Sequence, residues 1–283
     1  MKVNGNTKVL GIIGNPVRHT KSPVIHNFLA EKMNLNMVYV PFEVEKDAVT
    51  AVKGAYELGV VGMNVTVPWK QEVMNALADI DDLAKRIGAV NTLVSSENGY
   101  KGYNTDMTGL FRAIQSEGIS LAGRDVIMLG AGGAARAVAF LCAKENVSSL
   151  TILNRTKENA DNIIADVSKY VDETGKDIVL NTDILDNWNK YAKDKLIVFQ
   201  CTKLGLSEED GAPVNDLEFY KYIDHGIDLV YRENTRFQYE VKNAGGHAYT
   251  GLKMLVYQAI DAFELWNKVS VSEELIKELI EVV

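Results

Sequence analysis

Cysteine is scarce in this chain: Cys142 and Cys201 are the only two in 283 residues. They fall in apolar or loop contexts with no pairing logic. A disulfide-stapled scaffold is therefore excluded, and a reducing, cytoplasmic home is expected. Positive charge is short as well. Against 38 Asp and Glu stand 30 Lys and Arg, a formal net charge of −8. That argues against nonspecific nucleic-acid or anionic-membrane binding, but leaves room for local basic sites that hold an anionic substrate. No apolar run reaches membrane-spanning length. The opening Met-Lys-Val-Asn-Gly lacks the apolar core of a secretory signal. Repeats and low-complexity segments are missing, and no metal site is expected.

What remains is ordinary globular material, 47% hydrophobic and 24% charged. Its length suits one large or two ordinary domains. The most informative stretch runs from Asp125 to Arg136. Val126 to Leu129 form a short apolar run, as in a strand buried on both faces. Gly130, Gly132 and Gly133 follow, and Ala134 to Ala143 has helix-forming composition. Strand, glycine turn and helix together form the setting in which a pyrophosphate can touch main-chain N–H groups at a helix start. The fingerprint Gly-x-Gly-x-x-Gly is only approximated, with Ala135 at its third glycine, where a helix packs closely on a strand. A tight turn without a ligand is the alternative.

Around this stretch strands and helices alternate, which predicts parallel α/β sheets. Lys8 to Gly14 reads as a strand, followed by the loop Val17 to Pro23, rich in hydroxyl and basic groups. Ser22 suits an N-cap and Pro23 a first helical position. Asn36 to Glu43 reads as a strand and Lys46 to Leu58 as a helix. In Gly62 to Pro68, Met63, Val65 and Val67 point one way and Asn64 and Thr66 the other. Polar side chains at the carboxyl end of such a strand suggest a ligand-facing edge, or a face turned to solvent. Lys70 is expected in the first turn of a helix running to Ala78, where the dipole disfavours a cation. That hints at function, although a solvated surface lysine is the plainer reading. Asp79 to Ile87 reads as a helix, then a hairpin turns at Asn98-Gly99. Asn91 interrupts an apolar strand start, and Asp106 precedes a helix over 107–116, where it could serve as an N-cap.

Beyond the glycine turn, strands are expected at 150–153, 177–180, 196–200, 227–230 and 246–249. Helices are expected at 158–170, 235–244, 251–266 and 273–282. Gln258 falls on or beside the apolar stripe of the helix from Gly251, as a ligand contact or an internal clamp. The end of the strand after the glycines carries Asn154, Arg155 and Thr156 where an NAD site usually carries a carboxylate. A guanidinium and a hydroxyl in that place favour a 2′-phosphate, and hence NADP.

Taken together, these segments resemble the shikimate dehydrogenase family. The matching stretches are 14–23, 64–70, 88–92, 104–106, 130–135, 154–156 and 251–258, in family order over nearly the whole chain. The resemblance implies NADPH-dependent, reversible reduction of 3-dehydroshikimate to shikimate in chorismate and aromatic amino-acid biosynthesis. The implied architecture is α/β in two domains. Residues 1–106 plus 250–283 form an N-terminal α/β substrate domain completed by C-terminal helices. Residues 107–249 form a Rossmann-type NADP-binding domain. By position, Lys70 and Asp106 are the implied catalytic pair. Thr20 and Ser22 bind the substrate carboxylate, and Asn64, Thr66, Asn91, Tyr231 and Gln258 complete the substrate site. The implied cofactor contacts are Gly130, Ala131, Gly132, Gly133, Ala134, Asn154, Arg155, Thr156, Lys157, Thr202 and Gly251. His19 and His26 belong to the carboxylate end.

The chain also departs from the family. Thr20 stands in place of a usual serine, and Asn159 where an arginine is frequent. Lys203-Leu204 and Lys253 replace smaller residues. The implied partner is a small molecule, with no nucleic acid and no membrane; a homodimer is left open. A quinate/shikimate dehydrogenase using NAD or NADP is the alternative within the family, and Arg155 counts against an NAD preference. A dinucleotide-binding regulator without turnover is the alternative from another class; it would have no need of both Lys70 and Asp106.

Overall fold

The computed structural model describes residues 3–283. Met1 and Lys2, which open the expected first domain, lie outside the described residues. The chain begins with β1 (Lys8–Gly14), α1 (Ser22–Lys32), β2 (Met37–Glu43), α2 (Ala48–Glu57) and β3 (Gly62–Val65). Next come β4 (Asp79–Ile80), α3 (Asp82–Ile87), β5 (Thr92–Ser96), β6 (Gly99–Tyr103) and α4 (Thr105–Ser116). It continues through β7 (Asp125–Leu129), α5 (Ala135–Lys144), β8 (Ser149–Leu153), α6 (Lys157–Thr174), β9 (Val179–Asp183) and β10 (Leu196–Gln200). The last elements are β11 (Ile223–Asp228), α7 (Arg236–Asn243), β12 (His247–Tyr249), α8 (Leu252–Asn267) and α9 (Glu273–Val282). Among the described residues no helix is long and apolar enough to cross a membrane.

Contacts divide the chain into two units, one from residues up to Gly109 together with Val256–Val283, the other from Leu110–Leu255. The divisions fall inside α4 and α8.

The first unit holds a mixed sheet in the order β2-β1-β3-β5-β6-β4. β1 pairs in parallel with β2 and β3, whereas β5 runs antiparallel to both β3 and β6. Ile13, Met63, Val65, Val90 and Leu93 are among the buried residues of one core cluster in this sheet. The opposite side is closed by aromatic rings. His26 of α1 stacks on Tyr39 at 4.2 Å, and Trp266 of α8 lies 5.1 Å from His26. Trp266 Nε1 donates to the Leu93 carbonyl at 2.8 Å, directly against Gly62, where any Cβ would run into the indole.

The second unit holds an all-parallel sheet in the order β12-β11-β10-β7-β8-β9. Every residue of β8 and β10 is buried, as apolar runs in a doubly covered parallel sheet must be. The chain moves outward from β7 through β8 to β9, then returns to the other side of β7 with β10. The carboxyl ends of β7 and β10 therefore flank a topological switch point, where such sheets bind ligands.

Several local expectations change. The helix expected at 68–78 is only a short 3-10 turn, Glu72–Ala76. The amides of Ala78 and Asp81 instead donate to the carbonyls of Tyr100 and Gly102, so strand pairing with β6 recruits Asp79–Ile80 as β4. Asp81 then caps α3, accepting from the Leu83 amide, which shortens the helix expected at 79–87. Ser22 is the first residue of α1 rather than its cap; Lys21 holds that position without a side-chain cap bond. β11 lies earlier than the expected 227–230, because its register with β10 starts at Ile223 and the chain turns away at Asp228. β9 extends to Asp183 through Asn181 and Thr182, the pairing with β8 outweighing the poor strand preference of Asn181.

Two outcomes follow for the first unit. Gly62→Ala must displace Trp266, and should cost about 1–3 kcal/mol by overpacking, read as a lower Tm at unchanged secondary structure. Burial holds the His26 pKa down from 6.5 to about 3, so the folded state carries it neutral. The unfolded chain takes up the proton first. This contribution to stability is complete above about pH 6.5 and is lost as pH falls towards 3, at up to about 1.4 kcal/mol per pH unit. Denaturation midpoints across that range should flatten in a His26→Phe variant; an unaltered slope would show that other groups carry it.

Candidate active site

In the first unit, the short loop after β3 and the start of α4 bring a cation and an anion together. Lys70 Nζ lies 2.6 Å from Asp106 Oδ2, with side chains 16% and 11% exposed. Each is held from behind. The Lys70 carbonyl accepts from the Val90 amide at 2.8 Å. Asp106 Oδ1 accepts from Asn91 Nδ2 at 2.9 Å, and its place in the first turn of α4 favours a carboxylate. The N-cap role open to Asp106 falls instead to Asn104, whose Oδ1 accepts from the Met107 amide at 3.3 Å. Lys70 sits in a turn rather than at the start of an α-helix, so the expected helix-dipole effect on it drops out. It is not a solvated surface lysine either. A charge pair this sheltered is strongly disrupted by removing one partner.

The amides surround the pair. Asn64 is 4% exposed, so its side of β3 does not face solvent. Its Nδ2 donates to the Asn91 carbonyl and to Thr92 Oγ1, both at 3.1 Å. Asn91 Oδ1 accepts from the Thr105 amide at 2.7 Å. Thr66, half-buried, follows β3 and donates its amide to the Ile13 carbonyl. Thr20 Oγ1 donates to Ser22 Oγ at 3.2 Å, and Ser22 is buried. Gln258 of α8 comes close to α4 because Gly109 has no side chain: a Cβ there would strike the Gln258 backbone. Thr20, Ser22, Asn64, Thr66, Lys70, Asn91, Asp106 and Gln258 all belong to this unit. Tyr231 belongs to the second, 37% exposed.

The second unit gathers the other group at the end of β7. Gly130 takes φ +102°, and a Cβ on it would sit 2.7 Å from Thr202 Cγ2, so only glycine lets the turn close against the loop after β10. Gly132 and Gly133 are exposed. Ala134 caps α5 without a side-chain bond, and Ala135 behind it is fully buried. An open helix start with bare glycines before it is a cradle for an anion, and a dinucleotide pyrophosphate fits it. Asn154 bridges the turn to the end of β8, accepting from the Ala131 amide at 3.2 Å and donating to the Thr156 carbonyl at 2.8 Å. Arg155 and Thr156 are exposed beside it. Lys157 is committed to Asp161 at 2.6 Å. Gly251 is buried, its amide donating to the Val230 carbonyl.

Sequence reasoning overlooked several members. Thr92 and Thr105 look like strand and helix-start residues, yet both bond Asn91. Asp228 and Gln200, fully buried, hold the loops after β10 and β11. Gln200 accepts from the Thr202 amide and donates to the Leu204 carbonyl and to Asp228, while Asp228 accepts from Thr235 and Gln238. Burial raises the Asp228 pKa, and these donors pull against it. A polar residue at the end of an apolar strand was the available signal for both.

The chain is similar to known proteins over nearly its whole length. The family model for the shikimate dehydrogenase substrate binding domain matches residues 12–93, and that for the shikimate 5'-dehydrogenase C-terminal domain matches residues 251–281. The NADP(+) shikimate dehydrogenase of Desulforamulus reducens is 38% identical over 94% of this chain and 92% of its own. A solved shikimate dehydrogenase in complex with NADP+ is 35% identical, with TM-score 0.88 over 99% of this chain and 97% of its own. The Thermus thermophilus shikimate 5-dehydrogenase, solved with NADP(H) and shikimate, is 28% identical with TM-score 0.83, over 98% of this chain and 99% of its own. At such identity across nearly its full length, this chain belongs to the shikimate dehydrogenase family.

Proposed function

We propose that the chain catalyses the reversible, NADPH-dependent reduction of 3-dehydroshikimate to shikimate, a step of chorismate and aromatic amino-acid biosynthesis. The observation that carries the reading is the sheltered Lys70–Asp106 pair, ringed by buried amides that can hold hydroxyl groups. The first unit is the substrate domain and the second the NADP domain. The two buried free thiols suit a reducing compartment, and the cytoplasm is the place assigned to the reaction.

When bound, NADP supplies the hydride acceptor and NADPH the donor. The chain's own residues bind, orient and manage the proton. In reduction the Lys70 ammonium gives a proton to the ketone oxygen as the alcohol forms; in oxidation the neutral Lys70 amine takes the hydroxyl proton and becomes the ammonium again. Asp106 holds the amine and lies against one ring hydroxyl. Thr20 and Ser22 bind the carboxylate through their hydroxyls. Asn64, Thr66, Asn91, Gln258 and Tyr231 hold the remaining oxygens. On the cofactor side, Gly130 to Ala134 carry the pyrophosphate, with Thr202 and Gly251 beyond it. Asn154, Arg155, Thr156 and Lys157 surround the adenosine ribose. Arg155 is the phosphate reader, because Lys157 already has Asp161.

The direct test is reduced-nicotinamide absorbance with shikimate or quinate, each with NADP or NAD. Turnover of shikimate with NADP should dominate; quinate with NAD as the better pair would make the chain a quinate dehydrogenase. Lys70→Ala should lower kcat by about 10²–10⁴-fold, with NADP affinity unchanged; near-normal kcat would leave the lysine a binding residue only. Arg155→Ala should weaken NADP by about ten- to a hundredfold, the loss of a charged hydrogen bond, while NAD binding stays as it was. Equal losses for both cofactors would remove Arg155 from the phosphate.

A further inference from the structure

A line of hydrogen bonds crosses the floor of the first unit, and one member lies outside every motif above. It starts at the carboxylate loop, where Thr20 Oγ1 donates to Ser22 Oγ and the Ser22 side chain lies beside the Tyr39 phenol. Tyr39 Oη donates to Asn64 Oδ1 at 2.7 Å. Asn64 passes to Thr92, Thr92 Oγ1 donates to Asn91 Oδ1 at 3.1 Å, and Asn91 reaches Asp106 and so Lys70.

The phenol is unusually constrained. Tyr39 is 1% exposed, so no solvent can replace its bond. Its strand β2 lies at the sheet edge, and Asn27 of α1 takes both main-chain groups there. The Asn27 Nδ2 donates to the Tyr39 carbonyl and its Oδ1 accepts from the Tyr39 amide, each at 2.9 Å. The ring stacks on His26 at 4.2 Å, and the imidazole lies beside Asn64 as well. Asn64 spends its amide protons on Asn91 and Thr92, and its Oδ1 accepts the phenol proton at 2.7 Å. Without that proton the buried amide oxygen loses its 2.7 Å donor, and the amide the bond that fixes its orientation.

We propose that Tyr39 is the positioning residue of the substrate site, one buried phenol setting the orientation of Asn64 and, through it, of the amides behind the Lys70–Asp106 pair. The inference rests on the substrate assignment made under the proposed function. Tyr39→Phe keeps the ring and removes only the hydroxyl. It should raise KM for shikimate about tenfold and lower kcat about tenfold, one hydrogen bond's worth in each, while KM for NADP stays unchanged. A hydroxyl with a merely structural role would lower Tm and leave both shikimate constants alone, which overturns the proposal. Thr92 serves as the second point of interruption. Thr92→Val should lower kcat and Thr92→Ser restore it; equal kcat in the two variants also overturns the proposal, even if Tyr39→Phe fails to fold. A wild-type protein inert towards shikimate with NADP sinks the underlying assignment as well. An active wild type with an unchanged Tyr39→Phe sinks this inference alone.

Discussion

Two side-chain amides govern the first unit. Asn64 and Asn91 sit in a region closed to water, where each polar atom must find a partner within the protein. Asn64 bonds the Asn91 main chain and Thr92, and Asn91 bonds Thr105 and Asp106. A strand, a hairpin and a helix start are thereby locked to one another through groups that tolerate a single geometry. The Lys70–Asp106 pair inherits its position from that lock. An apolar floor of the same shape would pack as well, but would leave the carboxylate free to turn and the lysine without a fixed direction.

The second unit solves a similar problem with a different pair. Its switch point needs two loops to end beside the glycine turn, and loops carry backbone groups that a sheet cannot satisfy. Gln200 and Asp228 sit at the carboxyl ends of neighbouring strands and bond these loose groups from below. Asp228 accepts from four sources at once, the Gln200 and Gln238 amides, the Thr235 hydroxyl and the Val230 N–H. The loop bearing Thr202 and the one bearing Tyr231 thus hang from one buried carboxylate.

Much of this was legible in the chain. Apolar strands with glycine after them, and Asn64 alternating with Met63 and Val65, follow local periodicity, and local rules suffice where neighbours agree. Lys70, Asp106 and Asn91 could be singled out because each breaks its local pattern. The short strand β4 could not be seen, because Asp79-Ile80 becomes a strand only through β6 beside it. Ser22 looked like a cap because Ser-Pro usually marks one, but the helix begins a residue earlier and the hydroxyl oxygen accepts from Thr20. Tyr39 was invisible for the opposite reason. An aromatic residue in an apolar strand reads as core, and nothing in one dimension shows which buried oxygen its hydroxyl will meet.

The packing of Trp266 against Gly62, and of Gln258 against Gly109, gives the chain a temporal order. A ribosome delivers Lys70, Asn91 and Asp106 early, then a whole contiguous sheet, and only afterwards the helix that seals the first sheet's aromatic side. Until α8 emerges, Gly62 is a bare notch and the Leu93 carbonyl has no indole to bond. The second unit needs almost nothing from outside its own continuous segment to build its sheet, so it can assemble while the first is still waiting. The seal over the residues made first is therefore among the last parts of the chain to arrive.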